Sequence, residues 1–158
     1  MNTTHLLTPG DSAPHFSLPT STGQTISLSS LKGKSFVLYF YPKANTSGCT
    51  KEACAFEEAL PAFKTLNIPV IGVSRDPMKA IMQFAEKYNL TFPLASDEEG
   101  KTCMDYGVWV EKSMYGRKYM GIERSTFLIG PDGKILQVWY KVKIPGHVEA
   151  VMKALSGS

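Results

Sequence analysis

The sequence predicts an α/β domain built on a central mixed sheet, and three observations carry that prediction. Two apolar runs, residues 36–41 and 68–73, are bounded by polar or turn residues and separated by one helix-length segment. That segment, residues 49–66, repeats its apolar side chains at three- and four-residue steps. Near the C-terminus, two further apolar runs flank Pro131-Asp132-Gly133, a turn that sends the second strand back antiparallel to the first. With 158 residues, 43% of them apolar and 20% charged, residues 1–158 have the size of a single domain. Such a chain can bury a core without a disulfide framework or a structural metal.

Taken in order, the N-terminal third is divided by the turns Thr8-Pro9-Gly10-Asp11, Ala13-Pro14 and Ser21-Thr22-Gly23. Between them, residues 16–18 and 24–28 alternate apolar with polar, as the strands of a short half-exposed hairpin extension do. Residues 36–41 are apolar without alternation, the pattern of a strand covered on both faces. In the following helix Ala53, Phe56, Leu60 and Phe63 share one face, and Pro61 removes one backbone donor and predicts a kink. Residues 68–73 complete a right-handed βαβ unit. Asp76 is expected to cap a helix that Pro77 begins, with Ile81, Phe84, Ala85 and Tyr88 inward. Residues 96–106 suggest a strand end and a short helix, and residues 108–121 a loop with some extended character. The Pro-Asp-Gly hairpin follows, and a last helix carries Val148, Val151, Met152 and Leu155 on one face. The order β-α-β-α-ββ-α is that of a thioredoxin-like fold, because a flavodoxin-like sheet would continue with parallel strands instead of closing with a hairpin.

Seventeen Lys and Arg against fourteen Asp and Glu give a net charge of +3, with the cations scattered rather than gathered in a stripe. That argues against nucleic acid as a partner. No stretch approaches the apolar length of a membrane span, and residues 1–15 lack the pattern of a secretory leader. Three cysteines are too few, and odd in number, for a secreted disulfide scaffold. A reducing compartment, the cytoplasm, is therefore expected.

The chemistry centres on Cys49, at the junction between the first buried strand's loop and the helix. Backbone N–H groups without partners and the positive end of the helix dipole both favour a thiolate there, and the thiolate is the nucleophile. The competing reading is a small buried apolar residue. Cys54 follows five residues later. On a regular helix that spacing puts Cα atoms about 8.7 Å apart, whereas a disulfide needs about 7 Å or less. If the two bond, the first turns of the helix must unwind; if they do not, Cys54 is an inert helix-face residue.

The string Pro42-x-x-x-Thr46-x-x-Cys49 resembles the active-site motif of peroxiredoxins, and the spacing to Cys54 is similar to that of the atypical two-cysteine group called bacterioferritin comigratory protein, or Q-type. The resemblance runs along nearly the whole chain. It includes Gly10-Asp11-x-Ala13-Pro14-x-Phe16, Leu31-Lys32-Gly33-Lys34, residues 40–46, Gly107-Val108-Trp109 and residues 124–129. It implies that Cys49 is the peroxidatic cysteine, that Thr46 accepts a hydrogen bond from the peroxide, and that Pro42 shields the thiolate. It further implies that Arg124 stabilises both thiolate and leaving oxygen. Cys54 would be the resolving cysteine, forming an intramolecular disulfide that thioredoxin, or alternatively glutaredoxin, reduces. Some members carry the resolver on the next helix, where this chain has Phe84. The implied enzyme reduces hydrogen peroxide and organic hydroperoxides without metal, haem or flavin. It has no need of a partner subunit, so a monomer is expected. Ser47 stands where many members have Pro, which frees one φ angle and adds a hydroxyl.

Other residues carry less. Glu52 could orient Arg124 or could simply stabilise the first helical turn. Cys103 reads as a partly buried helix residue, Tyr106 and Trp109 as aromatic packing, and Met104, Met114 and Met120 as lacking a common face. His5, His15 and His147 are expected at surface or capping positions. Two other functions compete. A thioredoxin-type oxidoreductase uses Cys-x-x-Cys, and a copper-binding thiol protein on the same fold uses Cys-x-x-x-Cys with a distant His, here His147 alone. Neither spacing is present.

Overall fold

A computed structural model describes residues 6–156. Its strands are β1 (Ser17–Pro19), β2 (Thr25–Ser27), β3 (Phe36–Phe40), β4 (Val70–Ser74), β5 (Leu94–Ser96), β6 (Trp109–Met114), β7 (Arg117–Ile122), β8 (Ser125–Ile129) and β9 (Ile135–Trp139). Its helices are α1 (Ser47–Thr65), α2 (Met78–Lys87), α3 (Lys101–Asp105) and α4 (His147–Ser156). The main sheet has the order β5-β4-β3-β8-β9, parallel from β3 through β5 and antiparallel from β3 through β9. This is the mixed, helix-flanked sheet of the thioredoxin-like class, with β1 and β2 forming the N-terminal hairpin. Among the described residues no helix is long and apolar enough to cross a membrane.

The uninterrupted apolar run of β3 resolves into two alternating sets. Phe36, Leu38 and Phe40 enter one core with Phe16, Tyr106, Phe127 and Ile135. Val37, Tyr39 and Tyr41 enter the other with Phe56, Phe63, Phe84 and Val151, beneath α1, α2 and α4. Period-two geometry sends alternate side chains to opposite faces, so a strand covered on both sides must be apolar throughout. The stripe Ala53, Phe56, Leu60 and Phe63 fastens α1 to the second core. The helix continues through Pro61 without interruption to Thr65.

Two readings need correction. Residues 108–121 are no loop. β6 and β7 pair in register from Trp109 opposite Ile122 to Met114 opposite Arg117. Tyr115 and Gly116 close the hairpin with φ of 52° and 78°, the two positive values that a tight two-residue turn requires. The hairpin is largely exposed, so its sequence carries little burial contrast. Asp76 does not cap α2, whose N-cap is Pro77 with no side-chain bond. Its Oδ2 instead accepts from Ala44 N at 2.7 Å and Ser74 Oγ at 2.8 Å. A backbone amide from another element outcompetes the local cap, and the carboxylate thereby ties down the loop after β3.

Register fixes what meets at that loop. Phe40, the last residue of β3, pairs with Ser125, the first of β8. Arg124 therefore arrives at the sheet edge from which residues 41–46 lead into α1.

Candidate active site

The loop carrying Pro42 and Thr46 is held at several points. Besides the Asp76 bond, Tyr88 Oη donates to Asn45 Oδ1 at 3.0 Å, and Asn45 adopts a left-handed φ of 63°. Thr46 is the extended residue that precedes α1, and its hydroxyl makes no capping bond. Thr46 Oγ1 donates to Lys43 O at 2.9 Å. Its one proton is thus engaged, and its lone pairs are available to a donor. Ser47 occupies the first helical position, one that suits Pro as well, which explains why the serine is accommodated without disturbing the turn.

Cys49 is the third residue of α1 and is 2% exposed. Arg124 Nη2 donates to its Sγ at 3.3 Å, while Arg124 Nη1 donates to Glu52 Oε1 at 2.6 Å. One guanidinium thus serves both groups, a fork geometry that Lys cannot reproduce. Burial acts to lower the Arg124 pKa, but Glu52 and Cys49 outweigh it and hold the group above its ordinary range. Burial pushes Glu52 up to about 7 against the opposing pull of Arg124. Its Oε2 has no partner, and neither do the buried hydroxyls of Tyr39 and Thr50. Gly48 allows the close approach. A Cβ there would lie 3.3 Å from Arg124 Nη2 and 3.1 Å from Ile144 Cδ1.

Pro42 lines one wall of a groove of about 410 Å³ beside the site, opposite Trp109, Lys112 and Met120 of the β6–β7 hairpin. Burial and the field of Arg124 lower the Lys112 pKa. Trp109 packs under Arg75, whose guanidinium carbon lies 4.3 Å from the ring centre.

Cys54 lies half-buried on the same uninterrupted helix, and all three cysteines are free thiols. Burial raises its pKa, with Glu58 and Glu57 adding to the effect. Cys103 is fully rather than partly buried, and burial together with Asp97 pushes its thiol far up. The structure thus brings Cys49, Arg124 and Glu52 together at one helix start, with Thr46 and Pro42 on the loop leading into it. Cys54 is on that helix but a turn and a half away, and Cys103 is in the opposite core.

Glu52 is no exposed first-turn acid, since it is 1% accessible. A signal for this was present: it falls three residues after Cys49 and four before Phe56, inside the apolar stripe. His147 also departs from expectation. It is buried, and its Nε2 shares a 2.7 Å hydrogen bond with Thr126 Oγ1. Burial, then Arg124, lowers its pKa to about 4. His15 is exposed as expected, Met104, Met114 and Met120 are exposed singly, and His5 lies outside the described residues. Among the described residues no three His, Cys, Asp or Glu side chains are grouped to hold a metal ion.

The AhpC/TSA family model matches residues 9–138. A Coxiella burnetii relative under the peroxiredoxin bcp name is 50% identical over 146 residues, covering 92% of this chain and 97% of the relative. Peroxiredoxin Bcp of Bacillus subtilis is 45% identical over 146 residues, 92% of this chain and 93% of its own. A cysteine mutant of Xylella fastidiosa PrxQ superposes with a TM-score of 0.91 at 41% identity, covering 97% of this chain and 98% of the other. Xanthomonas campestris bacterioferritin comigratory protein, studied for its alkyl peroxide reduction activity, superposes with a TM-score of 0.87 at 40% identity over 98% of both chains.

Proposed function

The chain belongs to the AhpC/TSA family, within its peroxiredoxin Bcp and Q group, and from that premise we propose a thiol peroxidase cycle run by Cys49, Arg124, Thr46 and Cys54. The observation that carries the reading is the 3.3 Å contact of Arg124 Nη2 with a cysteine sulfur buried at a helix start. The guanidinium and the uncapped helix amides both face this sulfur, so they are placed to stabilise the charge that moves during its attack on a peroxide.

In the proposed step the Cys49 thiolate attacks the terminal oxygen of a hydroperoxide. The S–O bond forms as the O–O bond breaks, sulfur loses two electrons to the peroxide, and an alkoxide or hydroxide leaves and takes up a proton. Arg124 faces the reacting sulfur, so it stabilises the charge that grows on the leaving oxygen. Thr46 accepts from the peroxide O–H, because its own proton is committed to Lys43 O. Pro42 forms the wall that keeps water from the thiolate. Substrates are hydrogen peroxide and organic hydroperoxides, the latter supported by the alkyl peroxide activity of the Xanthomonas relative.

The sulfenic acid then condenses with the Cys54 thiol, forming a disulfide and releasing water. Both residues are helical in the reduced chain, so α1 must unwind locally to close the gap. Thioredoxin restores both thiols by exchange. A resolver within the chain makes a second subunit unnecessary, which supports a monomer, and free thiols suit the cytoplasm.

The test is peroxide-dependent consumption of reduced thioredoxin with peptide mapping of the oxidised chain. Cys49→Ser abolishes peroxide consumption. Cys54→Ser permits one turnover, leaves a sulfenic acid that dimedone traps at Cys49, and ends cycling. A disulfide from Cys49 to Cys103 would overturn the assignment of Cys54.

A further inference from the structure

The hairpin of β6 and β7 stands beside the site and pairs with no other strand, forming a two-stranded sheet of its own. Directly opposed residues of such a pair share a face. One face therefore carries Met114 with Arg117, Lys112 with Tyr119, and Val110 with Gly121. It holds two cations and no carboxylate. Glu111, the one acid within the two strands, lies on the other face, 4.0 Å from Lys118. Glu123 follows β7 at the base of the hairpin, away from its tip. Met114 and Tyr119 are 55% and 43% exposed, and Tyr115 at the tip is 98% exposed.

Tyr115 opens the two-residue turn with a φ of 52°, a conformation that Asn takes readily and a bulky side chain does not. Its ring stands in solvent, so burial within the chain does not offset that cost. A local rule broken without an internal gain marks a functional surface. An aromatic tip flanked by Met and Tyr, with cations that no acid balances, has the composition of a surface that enters the headgroup layer of an anionic bilayer. Tyrosine suits that layer because its ring is apolar while its hydroxyl stays wet. Lys112 and Tyr119 of the same face also line the groove of about 410 Å³ that reaches Pro42 and Lys43.

We infer that the β6–β7 hairpin docks this protein on anionic phospholipid bilayers, without spanning them, and so gives the groove beside Cys49 access to hydroperoxides of the lipid chains. The access half rests on the reading of Cys49 as the peroxidatic thiol; the docking half does not. At the docked surface the Cys49 thiolate takes the terminal oxygen of a lipid hydroperoxide. The S–O bond forms as the O–O bond breaks, sulfur gives up two electrons, and the lipid alkoxide leaves and takes up a proton.

Docking is tested on the full Cys49→Ser chain, which needs no turnover. Flotation uses vesicles of phosphatidylcholine alone or with about one-third phosphatidylglycerol. The chain floats with the anionic vesicles and not with the neutral ones, and high salt weakens the binding. Tyr115→Asn keeps the turn and lowers the affinity about tenfold, as removal of an apolar ring from the headgroup layer predicts. Arg117→Gln lowers it about fivefold, the loss of one cation near an anionic surface. Both side chains are exposed, so neither change unfolds the chain. Absence of binding to anionic vesicles, or unchanged affinity in both variants, overturns the inference. So does a dimer of the parent that Tyr115→Asn dissolves, because a second copy then covers the face. With Cys49 intact, phosphatidylcholine hydroperoxide is consumed faster in anionic than in neutral vesicles, relative to hydrogen peroxide, and Tyr115→Asn removes that advantage. Equal ratios in the two vesicles overturn the access to lipid hydroperoxides. Binding by a parent chain that consumes no hydroperoxide upholds the docking surface and refutes Cys49 as the peroxidatic thiol.

Discussion

Cys49 and Cys103 occupy the same local position in opposite cores. Each is the third residue of a helix, and they are 2% and 0% exposed. Their surroundings differ in charge. At α3 the buried Asp97 carboxylate has already taken the Thr102 and Cys103 amides, at 3.3 and 2.7 Å, and it faces the Cys103 thiol with a negative charge. At α1 the residue before the helix turns its hydroxyl away to Lys43 O, no side chain caps the amides, and a guanidinium reaches the sulfur. A helix start and burial therefore do not by themselves single out Cys49 as the proposed nucleophile. What distinguishes the two sites is the sign of the charge set opposite the sulfur and whether the helix amides are already spent.

The sharpest way to break this contrast is to remove the cation. Arg124→Met keeps most of the side-chain length and abolishes the donor to Cys49. The expected loss in the second-order rate of peroxide consumption is roughly 10²–10³-fold, the effect of deleting one preorganised donor at a developing charge. The variant also strands the buried Glu52, so its stability falls. Arg124→Met combined with Glu52→Gln removes the buried acid, which without the arginine must take up a proton to fold at neutral pH, and recovers stability without recovering rate. A double variant as fast as the parent would show that the cation does not set the reactivity of Cys49.

A second test uses the opposing titrations around Arg124. Burial raises Glu52 from its ordinary value of 4.5 to about 7, so the folded state holds the extra proton across that window. Its contribution is complete below about pH 4.5 and is lost as pH rises through about 7. His147 is lowered from 6.5 to about 4, so its contribution is complete above about pH 6.5 and is lost as pH falls through about 4. Each amounts to about 3 kcal/mol, and between pH 4.5 and 6.5 the two slopes oppose each other. Denaturant unfolding of the parent should therefore be nearly flat there. Glu52→Gln should become more stable as pH rises from 4 to 6.5, and His147→Gln less stable as pH rises from 4.5 to 7. Identical slopes in all three chains would refute the assignment.

How far the sequence reveals these features depends on how local their causes are. The strand β3, the stripe of α1 and the Pro-Asp-Gly turn were legible because period, length and turn chemistry act within a few residues. The β6–β7 hairpin was not, because most of its residues face solvent and its turn is Tyr-Gly rather than the usual Asn-Gly. Asp76 has the composition of a cap, but its bond to Ala44, 32 residues away, depends on where another loop ends. Arg124 stands 75 residues from Cys49, and the register of β8 on β3 brings them together. Resemblance to a family could point to that arginine; local chemistry could not.

A smaller effect is expected at Thr46. Its hydroxyl proton is held by Lys43 O, which fixes the direction of its lone pairs, as the proposed role of peroxide acceptor requires. Thr46→Ser keeps that arrangement and stays near the parent rate. Thr46→Val removes both bonds and slows peroxide consumption about tenfold, as loss of one positioning hydrogen bond predicts. Equal rates for the two variants would show that the side chain only shapes the loop.

The smallest effect tests the other half of the comparison. Cys103 is packed in the core that holds Tyr106 and Phe127, and its sulfur meets a carboxylate instead of a cation. Cys103→Ala removes a sulfur atom from a filled interior and costs about 1 kcal/mol of stability. The rate of peroxide consumption and of thioredoxin-coupled turnover should stay within about twofold of the parent, a change of under 0.5 kcal/mol. The variant must also give the same disulfide on peptide mapping. A large fall in turnover would mean that a buried thiol facing Asp97 takes part in the cycle, and charge would then fail as the property that separates the two helix starts.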